Sequence, residues 1–383
     1  MSQQDKVQVG NLIMREYAAQ KPLSINAAGE FVTAADLVAN RELGFGSLHA
    51  LDMDSQVKLT LERNQLEPDY KIGILGVGLL TKAEVMQHVQ ARTKVGQEIV
   101  RAEINYCNDL IETLTGEVVP QTSLLRDPIL QPIPPWIRPP YWRILKAIAL
   151  FCENTTDAVT KLAAAYRKQY VHSVFSARGF EATVLEGSDD VRVKFAPIAK
   201  GSRTVYISGV GHGSPTVYTG DRGDHILEVG AYDPAEVKGK CIHLLSCQTA
   251  QQLGPDLVQK GARAYVGYFE NFTFVGDQAG TPINELELFW QCDSKFDIMM
   301  ANGATVEEAY NAAIAEYNAA IQLVPNSVTA TWLTHDRNYF RIYGDKTATI
   351  FPWILVPYIP VIQPQVALAQ NMEERMVELV NAY

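Results

Sequence analysis

Short apolar runs alternate with helical patterns through the second half of the chain, and this alternation most limits the folds open to it. Strands that are separated by helices pair in parallel through right-handed crossovers. We therefore predict an α/β fold for residues 142–349, a three-layer sandwich with a mainly parallel sheet. The apolar runs lie at 143–151, 180–185, 204–208, 241–245, 262–268 and 339–343, and the helical patterns at 157–177, 253–260, 281–303 and 305–323.

A mostly helical unit with mixed segments is predicted for residues 1–118. The residues Thr81-Lys-Ala-Glu84 fit a capping box, in which the hydroxyl and the carboxylate each satisfy a free backbone N–H. No proline follows until after Leu114, and apolar residues recur every three or four positions. We expect one long helix over about 82–115, packed on another long element of this chain or of a second copy.

A stiff linker is predicted for residues 119–141, because seven prolines fall within it. A second proline-rich stretch, 350–369, has no charged residue and is nominally long enough to cross a membrane. Its four prolines would break a spanning helix. We interpret residues 350–383 as an apolar arm and C-terminal helix that pack on the protein or on a neighbour, and a membrane contact stays open as the alternative.

Composition restricts the partners and the compartment. Asp and Glu number 43 and Lys and Arg 33 among 383 residues, a formal net charge of −10. Nucleic-acid binding needs a basic face, so we do not expect it. The five cysteines are too sparse for a disulfide scaffold, and the N-terminus shows no secretory signal. We expect a cytoplasmic protein with reduced thiols.

Two predicted strands end in residues that carry chemistry. The strand at 204–208 runs into Gly-Val-Gly-His212-Gly213, and the strand at 241–245 runs into Ser-Cys247. If the strands are neighbours, His212 and Cys247 leave the same edge of the sheet, where open parallel sheets bind ligands. A thiol beside an imidazole suits nucleophilic acyl transfer, and a following helix would favour the thiolate. Taken singly, each residue is more often structural than catalytic.

The ordered set of motifs is more specific than either residue. Its main parts are Ser208-Gly-Val-Gly-His212-Gly213 and His243-Leu-Leu-Ser-Cys247-Gln-Thr-Ala250, followed by the segment 253–267 and by Tyr343-Gly-Asp345. Over about residues 141–350 the chain resembles the caspase-like cysteine peptidase clan, which includes caspases, metacaspases, gingipains, clostripain, separase and the CHAT domains. The resemblance implies a caspase-like three-layer sandwich.

Some positions depart from that pattern. His212 and Cys247 are 35 positions apart, against roughly 50 in caspases. Leu245 stands where metacaspases carry an acidic residue, so that position does not support selectivity for a basic P1 residue. Lys346 stands where a proline is common in the CHAT-like pattern. The nearest relatives by resemblance are therefore bacterial CHAT-like or gingipain-like proteins.

The resemblance implies a mechanism. Cys247 would attack a peptide carbonyl, and His212 would protonate the leaving amine and later activate water. The N–H groups of Gly213 and Cys247 would form the oxyanion hole. The substrate would be a peptide or protein, and this chemistry needs no metal or organic cofactor. The candidates for a substrate subsite are Asp221, Asp224 and Glu228, although a solvated acidic loop is the interpretation we favour for them.

Two hypotheses follow for the whole protein. The first is a cysteine endopeptidase that acts through a thioester intermediate. The second is a catalytically silent caspase-like protein that serves as a structural or assembly subunit, with its long first-unit helix and C-terminal arm making contacts in a homo-oligomer. The intact His212 and Cys247 pair favours the enzyme, since a scaffold has no chemical need for both.

Overall fold

The computed structural model describes residues 6–40, 48–116, 142–276 and 285–357. Up to residue 116 the elements are β1 (Lys6–Val9), β2 (Leu12–Arg15), α1 (Glu16–Gln20), β3 (Pro22–Ile25), β4 (Phe31–Thr33), α2 (Ala34–Ala39), α3 (Met53–Leu66), β5 (Lys71–Ile74), β6 (Gly78–Thr81), α4 (Lys82–Ala91) and α5 (Lys94–Thr115). From residue 142 the strands are β7 (Trp142–Lys146), β8 (Ile148–Glu153), β9 (Glu181–Glu186), β10 (Thr204–Val210), β11 (Val217–Thr219), β12 (His225–Glu228), β13 (Cys241–Leu245), β14 (Ala264–Tyr268), β15 (Thr273–Val275), β16 (Phe340–Gly344) and β17 (Trp353–Pro357). The α-helices of this part are α6 (Ala158–Arg167), α7 (Ser173–Ala177), α8 (Arg192–Ala199), α9 (Leu253–Gln259), α10 (Glu285–Ala301), α11 (Val306–Leu323) and α12 (Val328–Tyr339).

A six-stranded sheet forms the centre of the α/β part, in the order β16-β14-β13-β10-β8-β9. Every pairing in it is parallel except that of β14 with β16, which is antiparallel. The predicted α/β fold with a mainly parallel sheet is therefore confirmed. Strand β16 follows α12 directly, and its first residue, Phe340, pairs with Tyr268, the last residue of β14, so β16 runs back along β14.

Both faces of the sheet are covered, as expected for parallel strands that are apolar throughout. On β8 the side chains alternate between two apolar clusters. Ala149 and Phe151 belong to the larger cluster, while Leu150 and Cys152 belong to the second one on the opposite face. This alternation is the period-two pattern of a strand, and it gives the sheet its two flanking layers.

The prediction of one helix over 82–115 is wrong, because the structure has two helices there. Arg92 ends α4 in the left-handed region, with φ 52° and ψ 34°. Thr93 then caps α5 by accepting a hydrogen bond from the N–H of Gly96. The capping box of Thr81 and Glu84 is confirmed at the start of α4. The two helices pack closely at Gly96, where a Cβ would lie 2.0 Å from the carbonyl oxygen of His88.

The first unit shares a sheet and a core with the α/β part. Strand β5 pairs antiparallel with β6 on one side and with β15 on the other. Gly73 of β5 lies over the ring of Phe274 of β15, so closely that a Cβ at position 73 would lie 2.2 Å from the ring. The larger apolar cluster runs through both parts without a break, from Val9 to Ile350.

Helix α12 is absent from the sequence-based prediction. Its first half is rich in β-branched residues, Val328, Thr329 and Thr331, which have low helix propensity. It is nevertheless buried along most of its length and packs on α5 and α11. Burial on all sides outweighs propensity here, and burial is not visible in the sequence pattern.

The predicted strand at 143–151 is two strands, β7 and β8, separated at Ala147. The N–H of Ala147 donates to the carbonyl of Pro352, and β7 pairs antiparallel with β17. The first residues of the predicted C-terminal arm are therefore a strand. The predicted linker at 119–141, the helix start at Thr281-Pro282 and residues 358–383 of the arm lie outside the described residues. No helix within the described ranges combines the length and apolar character that a bilayer crossing requires.

Candidate active site

The neighbouring strands β10 and β13 bring His212 and Cys247 to one edge of the central sheet. Their last paired residues are Val210 and Leu245, and the N–H of Gly211 still donates to the carbonyl of Leu245 at 3.3 Å. His212 and Cys247 each lie two residues beyond that last pair. The predicted adjacency of the two strands is therefore observed, and the two loops begin side by side.

The two loops are in close contact at Gly213. A Cβ at this position would lie 2.2 Å from Ser246 Oγ and 2.5 Å from the carbonyl oxygen of Cys247, so the contact requires glycine. Gly213 also forms an antiparallel bridge with Tyr218, in the non-hydrogen-bonded type of pair. The hydrogen bonds lie on either side of it, from the N–H of Thr219 to the carbonyl of His212 and from the N–H of Ser214 to the carbonyl of Val217. In such a pair the N–H points away from the partner strand. The N–H of Gly213 is thus directed to the same side as that of Gly211, toward the loop that holds Cys247.

His212 is held by a carboxylate that the sequence analysis missed. Its Nε2 is hydrogen-bonded to Oδ2 of Asp157, and both side chains are about one-third exposed. The other ring nitrogen, Nδ1, is buried and has no hydrogen-bond partner among the described residues. Nδ1 is therefore the ring nitrogen that is free to take a proton from a thiol, while Asp157 orients the ring.

Asp157 is fixed by the helix it begins. Its Oδ1 accepts hydrogen bonds from the N–H groups of Val159 and Thr160, at 2.8 and 3.1 Å, as the N-cap of α6. Burial opposes ionisation of Asp157, but the hydrogen bonds from Thr160 and from His212 outweigh it and hold its pKa below the usual value. Asp157 lies after β8, which is the neighbour of β10 on the side opposite to β13. Ligands bind at the carboxyl ends of parallel strands, and inspection of the residues after β8 would therefore also have found Asp157.

Cys247 is buried, in a setting that does not favour the thiolate. It is 1% exposed, and its Sγ donates a hydrogen bond to the carbonyl oxygen of Leu75 at 2.9 Å. Burial raises the pKa of the thiol. The expected help from a helix N-terminus is wrong, because α9 begins only at Leu253, six residues later. Gln248 instead turns the chain in the left-handed region, with φ 59°.

The three predicted subsite residues have local partners. Asp221 accepts a hydrogen bond from the hydroxyl of Thr156 at 2.9 Å, and Thr156 directly precedes Asp157 in the chain. Asp224 accepts from the N–H of Arg192 at the start of α8. Glu228 is paired with the exposed His225 at 2.9 Å on strand β12. Of the three, Asp221 is joined to the segment that carries Asp157, whereas the contacts of the other two are structural.

A buried charge network lies beneath the site. Arg167 donates to Glu153, Asp297 and Ser208, and the ring of His243 lies 3.2 Å from Asp293 and 3.1 Å from Asp297. Burial alone would lower the pKa of His243, but Asp297 and Asp293 outweigh it and raise the pKa to about 9. The network therefore holds a charged imidazolium at neutral pH.

The same network contains the one group in the described part of the chain whose side chains could hold a metal. Ligand atoms of His243, Asp293 and Asp297 lie within 4.8 Å of one another. Arg167 is 2.8 Å from Asp297 and 3.8 Å from Asp293. The guanidinium and the imidazolium already supply the positive charge that a metal would bring. The donor set is better suited to an ion network than to a metal.

No family model matches the chain, and no curated protein matches it. Among solved structures, the chain is similar to the Arg-specific cysteine proteinase gingipain R, with a TM-score of 0.34 and 9% identity over 54% of this chain and 47% of that one. It is similar to a complex of the Porphyromonas gingivalis RgpB pro- and mature domains, with a TM-score of 0.34 and 8% identity over 54% and 48%. A third structure, described as a protease, gives a TM-score of 0.32 and 16% identity over 54% and 49%. The chain spans about half the length of these structures, and likenesses this distant carry no argument about activity.

Proposed function

We propose that the protein is a cysteine peptidase in which Cys247, His212 and Asp157 act together. The observation that carries this proposal is the pairing of β10 with β13, which starts the His212 and Cys247 loops side by side. The hydrogen bond of His212 to Asp157 adds the orienting group that such a pair needs. Fixing Nε2 in this way directs the free Nδ1 to the proton transfers.

The reaction would run in two steps. Nδ1 of His212 takes the thiol proton as Sγ of Cys247 bonds to the carbonyl carbon of a peptide, and the same proton then goes to the departing amine nitrogen. Water, activated by His212, hydrolyses the thioester and releases the acid. The N–H of Gly213, directed toward the Cys247 loop, and the N–H of Cys247 would stabilise the oxyanion in both steps.

A catalytically silent structural protein is the second candidate. It is favoured by one observation, the burial of Cys247 under the carbonyl of Leu75. A thiol with a raised pKa in an apolar setting behaves as a core residue. Assembly through the first-unit helices or the C-terminal arm belongs to this candidate and remains a proposal.

Selective alkylation separates the two candidates. All five cysteines are free and buried, so Cys241 on β13 is an internal reference for slow, unassisted labelling. The protein is treated with peptidyl chloromethyl ketones of basic, acidic and apolar P1 residues, and each cysteine is mapped by mass spectrometry. We expect at least one reagent to label Cys247 faster than Cys241, and His212→Ala to remove the difference. Equal labelling of the two cysteines by every reagent would favour the silent protein.

A further inference from the structure

The turn between β5 and β6 covers the thiol of Cys247. The turn consists of residues 75–77, between Ile74 and Gly78, and the carbonyl of Leu75 accepts the hydrogen bond from Cys247 Sγ at 2.9 Å. Leu75 itself is 1% exposed. The contact therefore joins the first unit to the candidate nucleophile across 172 residues of sequence.

Backbone hydrogen bonds hold the turn in place, one to the α/β part and one within the turn. The N–H of Leu75 donates to the carbonyl of Phe272 at 3.1 Å, just before β15 begins. Gly76 and Gly78 have φ values of 88° and 114°, which let the chain reverse tightly over the site. The N–H of Val77 donates to Ile74 at 3.0 Å and closes the turn.

The position of this turn conflicts with catalysis. A nucleophilic sulfur must come within about 3–3.5 Å of the carbonyl carbon of its substrate. The peptide between Leu75 and Gly76 already has its carbonyl oxygen at hydrogen-bond distance from Sγ. A substrate peptide and this turn therefore compete for the same place.

We propose that the turn at residues 75–77 is a built-in inhibitor, and that the peptidase becomes active when the turn leaves Cys247. This inference rests on the proposed function, because it names the regulation of the same site. Displacement of the turn uncovers the thiol, and the loss of its apolar cover favours the thiolate in the same step.

The structure separates a movable turn from a fixed strand. On the strand, Ile72 and Ile74 are buried, and Gly73 is packed on Phe274. In the turn, the side chain of Val77 is 47% exposed, and no atom lies within 4 Å of where a Cβ would stand at Gly76. Outward movement of the turn breaks its bonds to Phe272 and Cys247 and withdraws the buried side chain of Leu75 from the apolar cluster, while β5 stays paired.

The test cuts the turn in the folded protein. A recognition sequence for a site-specific protease is inserted between Gly76 and Val77, and in a matched control the same sequence is inserted between Ala28 and Gly29. The control turn joins β3 to β4 in the same unit and is exposed. The rate at which iodoacetamide alkylates Cys247 measures only whether the turn covers the thiol. Hydrolysis of a mixed peptide library measures catalysis. Thermal unfolding before and after cutting checks that both proteins stay folded.

We expect cutting at Gly76 to speed alkylation of Cys247 by at least about tenfold, with no such change at Cys241 or in the control protein. Unchanged alkylation after a complete cut would overturn the inference. So would a cut at Leu75–Gly76 that the uncut protein makes by itself and that Cys247→Ala abolishes. Faster alkylation without any peptide hydrolysis would uphold the cover and defeat the proposed peptidase instead.

Discussion

At the scale of single residues, the candidate site depends on how a few side chains restrict one another. Asp157 binds both the start of α6 and the ring of His212, so its position is set by a helix rather than by a flexible loop. A site held by a helix terminus keeps its geometry without a substrate. Two substitutions distinguish the contribution of this geometry to catalysis from its contribution to the stability of the fold.

Replacing Asp157 by Asn keeps the helix cap, since Asn is as good an N-cap as Asp. It removes the negative charge that stabilises the protonated ring of His212. We expect kcat/KM on peptides, measured after the turn at residues 75–77 has been cut, to fall by roughly 10²- to 10⁴-fold with little change in the unfolding midpoint. Asp52→Asn is the matched control, because Asp52 caps α3 with an exposed side chain. An equal loss in both variants would argue against an orienting role for Asp157.

Replacing Gly213 by Ala places a methyl group against the backbone carbonyl of Cys247 and against Ser246 Oγ. The loops must separate to admit it, so we expect a loss of about 1–3 kcal/mol in unfolding free energy and an even larger effect on hydrolysis. Gly276→Ala is the control, since a Cβ there meets its nearest neighbour, Lys71, at 3.4 Å. Denaturant titration measures the first effect, and kcat/KM of the protein cut at the turn measures the second. An unchanged rate in Gly213→Ala would count against an oxyanion role for this N–H.

At the scale of elements, the buried charge network joins α6, α10 and the inner strands of the sheet. It connects Arg167 of α6 with Asp293 and Asp297 of α10, and with His243 of β13. Burial opposes ionisation of Asp297, but His243 and Arg167 outweigh it and lower its pKa. Removing one member of such a network leaves the others buried without compensation. The network thereby fixes the helix layer against the strands that carry the site.

The protonation of His243 makes the stability of the protein depend on pH. Its pKa rises from 6.5 to about 9 on folding, so its contribution is complete below about pH 6.5 and is lost as the pH rises through 9. The contribution is on the order of 3 kcal/mol. We expect urea denaturation between about pH 6 and pH 10 to show a steeper loss of stability in the wild type than in His243→Gln. Asp190, whose pKa burial raises to about 8, titrates in both proteins and cancels in the difference. Parallel pH curves for the two proteins would contradict the assignment.

At the scale of the whole molecule, the first unit and the α/β part are joined by buried polar contacts as well as by apolar packing. Arg63 of α3 is bonded to Glu103 of α5 at 2.7 Å and to Asn326 before α12 at 3.0 Å. Glu67 accepts from Lys21 at 2.6 Å and from the N–H of Val328 at 2.9 Å. The charges pair within the first unit, and Arg63 and Glu67 each make a further buried hydrogen bond to the segment that begins α12. Loss of either part would leave these buried groups short of a partner, which favours unfolding of both together.

We therefore expect the two parts to unfold in one cooperative step. Phe274 of β15 lies between β5 and Trp290 of α10, and Phe274→Ala should cost roughly 3–5 kcal/mol. Hydrogen exchange should then speed up by similar factors in α5 and α10. The control is Val193→Ala, since Val193 is 77% exposed on α8 and should leave both helices unchanged. Faster exchange in α10 alone would indicate two independent units.

The sequence alone determined the local order of elements and the edge of the sheet at which chemistry would lie. Short apolar runs, capping boxes and the glycines around His212 act through neighbours in the chain, so patterns reveal them. Strand β13, for example, corresponds to the predicted apolar run at 241–245, and all five of its residues are buried. The placement of the His212 and Cys247 loops at one edge could be predicted because parallel strands end at a common edge.

Only the tertiary structure decided what meets the two residues at that edge. The carboxylate that holds His212 and the carbonyl that covers Cys247 lie 55 and 172 residues away along the chain. Helix α12 forms against its own propensities because burial encloses it. Contacts of this kind depend on how the layers of the fold pack on one another. The residues that share this packing energy are far apart in the chain, so no local sequence pattern relates them. The sequence thus determined where the thiol and the imidazole would stand, and the fold decided that the thiol is covered.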